Sequence, residues 1–278
     1  MHSSLANSLT SGRTPLALAL LLLGSCAAPG FPRGEFPTGV AAATPQRPTL
    51  SSDTNTAVEG TVELEAGLTW DPDSFIDTPA SLRFGAGPAT EVFLGFSPLL
   101  YVEQPGNNES GPGDLAFGFR HRFRTESGDS PATAIQTSVK LPTADDKKGL
   151  GSGELDASIA GIATKTFGDY GVTGFYSLNL LGEQTGGAAL GHSLSLSTST
   201  PKFDDLSFFG ELAGIFVPEQ DSEQVFTMVG CTFNPHSSSV FDVGVLVGLT
   251  QDAPDLQFVI GFTQNLGPAR GLHRRWTR

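Results

Sequence analysis

The chain has 278 residues, and 16 Lys and Arg stand against 29 Asp and Glu, which gives a formal net charge of −13. Charged residues make up only 16% of the chain, below the roughly 25% of an average soluble domain. An acidic chain lacks the basic surface that nucleic acid requires, so nucleic acid is excluded as a partner. Two cysteines exclude a disulfide-stapled domain and a cysteine-based zinc site. We predict neither a metal nor a cofactor.

Residues 1–25 are predicted to be an export signal. A polar start is followed by an eight-residue apolar run, 16–23, and then by Gly24-Ser25-Cys26. This is the organisation of a signal peptide, and the run is too short to cross a bilayer as a helix. The end of the run also resembles a bacterial lipobox, which makes Cys26 a candidate lipidated first residue. Ordinary cleavage after Ala28 is the alternative, and either way the mature chain leaves the cytoplasm.

Residues 26–56 are rich in Pro, Gly, Ala and Thr and show no helical or strand period. Such a composition is typical of a flexible segment. We therefore predict a flexible periplasmic linker ahead of the folded body, which takes residues 57–266.

The folded body shows period-2 alternation of apolar and polar residues. In the first segment Val62, Leu64 and Leu68 share one face, and Glu63 and Glu65 share the other. Such alternation is the signature of β-strands. Twelve segments of this kind, mostly of 9 to 12 residues, are predicted at about 62–70, 79–87, 90–101, 113–124, 132–141, 155–167, 170–181, 192–201, 206–217, 223–233, 240–250 and 256–266.

Strand length, number and connections favour a membrane barrel. A tilted strand crosses a bilayer with about 9–11 residues, and several of the longer connections alternate with tight turns, as in outer-membrane barrels. A spanning sheet has to close because hydrocarbon cannot satisfy unpaired backbone groups. We predict an all-β, closed, antiparallel, up-and-down transmembrane barrel of about twelve strands in the outer membrane of a Gram-negative-type bacterium. A periplasmic sandwich or lipocalin-like barrel is the alternative.

Short motifs along the body resemble a known family. They are Leu141 to Gly153, Gly113 to Arg120, Gln46-Arg47-Pro48 ahead of Val58 to Glu65, and Ala253-Pro254-Asp255. In order and spacing they resemble the phenol-degradation meta-pathway family of outer-membrane transporters. The resemblance implies a barrel that passes small, often aromatic or apolar compounds.

The chain departs from that family at three places. Ala144 stands where the family usually has Gly, and Thr49 stands where it often has Asp. After Leu266 comes a basic tail, 267–278, instead of a strand-final aromatic residue. The tail puts the usual assembly signal at the C-terminus in doubt.

Charged side chains on the predicted inward face are candidates to line the lumen: Glu63, Glu65, Arg83, Glu91, Arg120, Arg122, Arg124, Lys140, Asp156, Glu211 and Asp242. A lumen with both signs can orient polar solutes or filter ions. Alternatively the charges pair with one another and fill a narrow barrel. The candidates for a gating loop are Asp145, Asp146, Lys147 and Lys148. The alternative interpretation is that these four residues belong to a solvated, mobile loop with no gating role.

The predicted function is passive passage of small-molecule solutes through a polar lumen gated by extracellular loops. Outer-membrane lipid and the outer-membrane assembly machinery are the other expected partners. One alternative is a non-transporting structural or adhesion barrel. Another is an outer-membrane hydrolase, which would need a nucleophile with a His base in reach. His192 beside Ser193 is the nearest approach, and no Gly-x-Ser-x-Gly elbow occurs, so we predict that the chain is not an enzyme.

Overall fold

The computed structural model describes residues 40–104, 106–184 and 186–269. These residues form fifteen strands and two short 3-10 turns. The strands are β1 (Thr61–Asp71), β2 (Phe75–Asp77), β3 (Ala80–Gly87), β4 (Thr90–Phe96), β5 (Leu100–Val102), β6 (Glu109–Gly111), β7 (Leu115–Arg124), β8 (Ala132–Leu141), β9 (Asp156–Phe167), β10 (Tyr170–Gly182), β11 (Ala188–Ser199), β12 (Leu206–Val217), β13 (Ser222–His236), β14 (Ser239–Gly248) and β15 (Leu256–Pro268). The 3-10 turns are Asp146–Lys148 and Pro218–Gln220.

Twelve of the strands form one closed antiparallel sheet. Each of the twelve pairs with the next one along the chain, and β15 pairs with β1 from Trp70↔Phe258 to Thr61↔Pro268. The short strands β2, β5 and β6 form a branch that begins at the end of β1. The sheet therefore has no open edge along its main strands, which is the condition for crossing hydrocarbon.

The two faces of the sheet have opposite chemistry. Along β11, Ser193 and Ser195 are buried, whereas the alternating Leu194 and Leu196 are exposed, the latter by 60%. Along β1 the buried residues are polar or charged: Thr61, Glu63, Glu65 and Asp71. A soluble protein does the reverse and buries its large apolar side chains. Apolar residues outside and polar residues inside are the arrangement of a membrane barrel.

The predicted fold class is confirmed: the barrel is all-β, closed and antiparallel, with twelve strands around it. Strand bounds differ by a few residues at most places. The largest difference is at predicted segment 90–101, where β4 ends at Phe96 and the chain resumes as the separate strand β5. Strands as short as β2, β5 and β6 present too few residues for an alternating pattern to be recognised.

Several predictions lie outside the described residues. They are the export signal 1–25, lipidation at Cys26 and residues 270–278 of the basic tail. No helix within the described ranges is long and apolar enough to cross a membrane.

Candidate functional site

The interior of the barrel holds a segment of its own chain. Residues 43–57, which we call the plug, form hydrogen bonds to inward side chains on β1, β4, β7, β9 and β12. Because these strands lie on different sides of the closed sheet, the plug crosses the lumen. This differs from the flexible linker predicted for residues 26–56. That prediction uses only the composition of the segment.

The plug is bound to β1 at its start. Glu63 accepts a hydrogen bond from the backbone N–H of Thr44 at 3.1 Å, and Glu65 accepts one from the backbone N–H of Gln46 at 2.7 Å. Backbone donors removed from water need a partner, and a carboxylate acceptor makes a stronger bond than a neutral one. The alternation of β1 places both carboxylates on the same, inward face.

The middle of the plug is bound by β12. Glu211 accepts hydrogen bonds from the backbone N–H groups of Leu50 and Ser51 at 2.8 and 2.9 Å, and from the Ser51 hydroxyl at 2.8 Å. The Ser51 hydroxyl also lies 3.0 Å from that of Ser197 on β11. Leu50 packs against an inward apolar cluster that includes Phe226 and Met228.

The end of the plug returns to β4. Glu91, fully buried, accepts a hydrogen bond from the backbone N–H of Ala57 at 2.6 Å. Within the plug, the Gln46 side chain donates to Asp53 at 2.9 Å and accepts from the Asp53 backbone N–H at 3.0 Å. The plug is thus a braced loop, held by four inward glutamates of the barrel wall.

Two buried arginines connect these glutamates. Arg83 on β3 lies within ion-pair distance of Glu63, Glu65 and Glu91, the shortest separation being 2.7 Å to Glu91. Arg120 on β7 lies 3.3 Å from Glu91. A buried carboxylate is costly unless it is paired and hydrogen-bonded, so the arginines and the plug together satisfy this side of the lumen.

Both arginines also contact the plug backbone. Arg83 donates to the Thr44 carbonyl at 2.6 Å, and Arg120 donates to the Asn55 carbonyl at 2.9 Å. The pairing predicted as the alternative to an open charged lumen is therefore present in this conformation. The plug is a partner in it.

The two remaining candidates on β7 differ from each other in their contacts. Arg122 is half-buried and donates to the Asn55 side chain at 3.3 Å. Arg124 follows a register shift in the pairing of β7 with β8 and is exposed at the end of the strand. The shift breaks the alternation from which the inward face of Arg124 is predicted, so its place in the lumen stays a prediction.

Lys140 and Asp156 pair with each other at the opposite end of the barrel from the start of β1 and the end of β15. Their separation is 2.6 Å, and Lys140 also lies 3.4 Å from Asp114. Asp114 accepts hydrogen bonds from the backbone N–H groups of Thr143 and Ala144, both at 2.9 Å. This cluster fastens the start of the loop that follows β8.

The predicted gating residues Asp145, Asp146, Lys147 and Lys148 are all exposed, on and beside the 3-10 turn of that loop. Lys148 lies 3.8 Å from Glu109 on β6, and its carbonyl accepts a hydrogen bond from Gln104. The structure places the loop against the β5–β6 branch and does not bring these side chains to the buried glutamates.

His192 and Ser193 lie on opposite faces of β11. The Nδ1 atom of His192 is 2.9 Å from the Tyr176 hydroxyl, and Tyr176 is exposed, whereas Ser193 is buried. Neighbouring residues of a strand point to opposite sides of the sheet. The two side chains therefore cannot act together as base and nucleophile.

Two concavities differ in chemistry. One of about 190 Å³ lies between the plug and the hydroxyl-rich inward face of β9–β11, where Thr164, Thr173 and Ser197 line it. The other, of about 790 Å³, is apolar and lies over Gly161 and Gly174 between exposed leucines such as Leu196. The larger one belongs to the lipid-facing surface, whereas the smaller, polar one lies in the lumen.

A closed twelve-stranded barrel with an apolar outside, a polar inside and an internal plug has the fold of the outer membrane barrels of Gram-negative bacteria, as predicted. A crystal structure of an outer membrane channel from Pseudomonas putida F1 is similar over 78% of this chain and 100% of that chain, with a TM-score of 0.62 and 11% identity. The NanC porin is similar over 74% of this chain and 100% of that one, with a TM-score of 0.52 and 7% identity.

By sequence, no family model and no curated protein matches the chain. The resemblance to the phenol-degradation family therefore stays a prediction, and the fold is what the structural likeness shows.

Sequence reasoning missed the plug residues themselves. The available signal was the number of acidic side chains on the predicted inward face, since Glu63, Glu65, Glu91 and Glu211 outnumber the arginines near them. Carboxylates buried without enough cations need other donors, and backbone amides of the neighbouring segment are such donors.

Proposed function

We propose that this chain is an outer-membrane channel for small solutes whose passage is closed by the plug. The observation that supports the proposal is the set of four wall glutamates that bind backbone amides of residues 44–57. The plug is held mostly by polar contacts, with Leu50 as an apolar contact. Such a loop can leave and return, because each hydrogen bond it gives up to the wall can be replaced by a bond to water. The hydroxyl-rich face of β9–β11 then borders the passage.

The proposed gate differs from the one predicted from the sequence. The extracellular loop with Asp145 and Asp146 lies against the β5–β6 branch, whereas the plug lies across the lumen. In this proposal the loop covers the far end, and the plug controls the passage. Solute identity, including the aromatic compounds implied by the family resemblance, is left to flux measurements.

The test is conductance in planar lipid bilayers, with and without the plug. A variant that lacks residues 43–57 but keeps the export signal is expected to give stepwise ion currents, whereas the full chain stays closed for most of the time. Folding of both proteins is checked by the heat-dependent shift in gel mobility shown by intact barrels. A folded variant without current would overturn the proposal.

A second candidate function is a non-transporting structural or adhesion barrel. The observation in its favour is the same filled lumen, in which Arg83 bridges Glu63, Glu65 and Glu91 and Arg120 pairs with Glu91. This candidate requires that the barrel remains closed to ions whatever happens to the plug. The conductance of the variant without residues 43–57 therefore separates the two.

A further inference from the structure

A slot in the lumen wall receives the side chain of Arg47. Three inward residues lie side by side on neighbouring strands, because Gly67 on β1 pairs with Gly261 on β15, which pairs with Asp242 on β14. A Cβ atom at Gly261 would lie 2.6 Å from Arg47 Nε, and one at Gly67 would collide with the guanidinium. The two glycines thus leave the space that a planar cation occupies.

Asp242 provides the charge of this slot and is poorly satisfied by Arg47. The residue is 4% exposed, and neither carboxylate oxygen has a hydrogen-bond partner. Arg47 Nε lies 3.7 Å from Asp242 and has no hydrogen-bond partner either. Arg47 Nη2 instead donates to the Ile260 carbonyl at 3.4 Å. A buried carboxylate in this condition gains from any cation that reaches it with N–H donors.

The surrounding wall is acidic. The buried charged side chains of the described strands are six carboxylates (Glu63, Glu65, Asp71, Glu91, Glu211 and Asp242) and two guanidiniums (Arg83 and Arg120). When the plug leaves, its backbone donors and Arg47 leave with it, and the buried side chains of the wall then include four more carboxylates than guanidiniums. A narrow lumen of that sign favours cations.

The hydrogen-bond acceptors of the slot suit an organic cation. Within the described part of the chain no group of three or more His, Cys, Asp or Glu side chains is placed to hold a metal ion. The slot offers one carboxylate, one backbone carbonyl and a flat floor of two glycines. A guanidinium or primary ammonium group matches these acceptors with its N–H donors.

We propose that Asp242, Gly67 and Gly261 form a cation-binding subsite of the lumen, which takes the guanidinium or primary ammonium group of a solute once Arg47 has left. While the plug is in place, the guanidinium of Arg47 occupies this subsite. The subsite deepens the proposed channel function by assigning the solute a positive charge with N–H donors. It rests on that function for its biological role, although not for its binding chemistry.

Binding is measured by isothermal titration calorimetry on the barrel in detergent, which requires no current. Methylguanidinium chloride is the probe. The Arg47→Ala variant of the full chain, whose slot is vacant, is expected to bind it at least tenfold more tightly than the unmodified protein. Tetramethylammonium has the same charge but no N–H donor and is expected to bind the variant at least tenfold more weakly than methylguanidinium.

Two double variants locate the site. Arg47→Ala with Asp242→Asn is expected to lose the gained affinity. Arg47→Ala with Asp169→Asn, which removes an exposed carboxylate in the turn between β9 and β10, is expected to keep it. Equal binding by Arg47→Ala and the unmodified protein, equal binding of the two cations, or full affinity after Asp242→Asn would each overturn the subsite.

The outcome is separable from that of the channel. Currents through the variant without residues 43–57, combined with no methylguanidinium binding by Arg47→Ala, would leave the channel standing and remove the subsite. Binding without any current would do the opposite. If both are present, a potassium chloride gradient across the bilayer is expected to give a reversal potential of cation selectivity.

Discussion

The hydroxyl oxygens of Ser51 in the plug and Ser197 on β11 lie 3.0 Å apart. They belong to segments separated by almost 150 residues in the chain, and their contact joins the plug to the barrel wall. Ser51 also donates to Glu211. The pair marks the place where the plug, if it moves, must part from the wall.

Replacing both serines by cysteine is expected to lock the plug. The short distance between the two side-chain oxygens favours a disulfide, whose sulfur atoms must approach to about 2 Å. The oxidised Ser51→Cys, Ser197→Cys protein should show no openings in a bilayer, and a reductant should restore those of the unmodified protein. Ser51→Cys alone is the control. Currents that are insensitive to the redox state would show that solutes pass with the plug in place.

Loosening the plug should have the reverse effect. Glu211→Ala removes the acceptor of two plug backbone N–H groups. At about 1.5 kcal/mol for each bond to a charged group, the closed state loses about 3 kcal/mol, which raises the open population by about 100-fold. Single-channel recordings measure that fraction, with Glu219→Gln at an exposed site as control. An unchanged open fraction would mean that Glu211 does not hold the plug.

The lipid-facing surface can be tested at Leu196. This side chain is among the most exposed apolar groups of the wall, and an arginine there should cost about 2–4 kcal/mol at the depth of the acyl chains. Urea unfolding in lipid vesicles measures the loss for Leu196→Arg, with Leu196→Phe as control. In water an exposed Leu→Arg change is nearly neutral, so an unaltered stability would contradict the membrane-embedded orientation.

Glu126, in the turn between β7 and β8, predicts a pH dependence. The Lys165 ammonium, 2.6 Å away, and the Thr166 backbone N–H and hydroxyl lower the pKa of the Glu126 carboxyl below its ordinary value. The contribution of this contact to stability is therefore complete above the ordinary carboxyl pKa. It is lost as the pH falls through the lowered one.

Carbon-13 NMR of the Glu126 carboxyl measures this pKa. Lys165→Met removes the largest cause of the shift, so the titration midpoint is expected to rise in that variant. Glu126→Gln should abolish the corresponding part of the pH dependence of thermal stability. A midpoint that does not respond to Lys165→Met would show that the ion pair is absent in solution.

The barrel could be predicted from the sequence because the residue pattern that specifies each strand lies within that strand. Alternation such as that of Glu63 and Glu65 with Val62 and Leu64 shows which face of a strand is apolar. Twelve such segments give the number of strands around the barrel. Closure follows from the physics of hydrocarbon. Arg124 shows the limit of the method, since one register shift near a strand end breaks the alternation from which its face is predicted.

The plug could not be predicted in this way. Residues 43–57 have no period, and their partners are far away in the chain, as with Leu50 and Glu211, which are 161 positions apart. Composition alone describes such a segment as a linker. One half of the site, the inward glutamates, is predictable from the alternation of the strands. The other half, the backbone N–H donors that bind them, carries no sequence pattern.

The plug is covalently joined to the strand beside which it lies. Only Val58, Glu59 and Gly60 separate it from β1, and the Gly60 backbone N–H already bonds to Gly85 on β3 at 2.8 Å. Such a short tether gives the segment an effective concentration in the millimolar range at its own docking surface. In the proposed channel, closure is therefore independent of how much protein the membrane holds, and a solute that binds the same glutamates has to compete with a segment that stays tethered beside them.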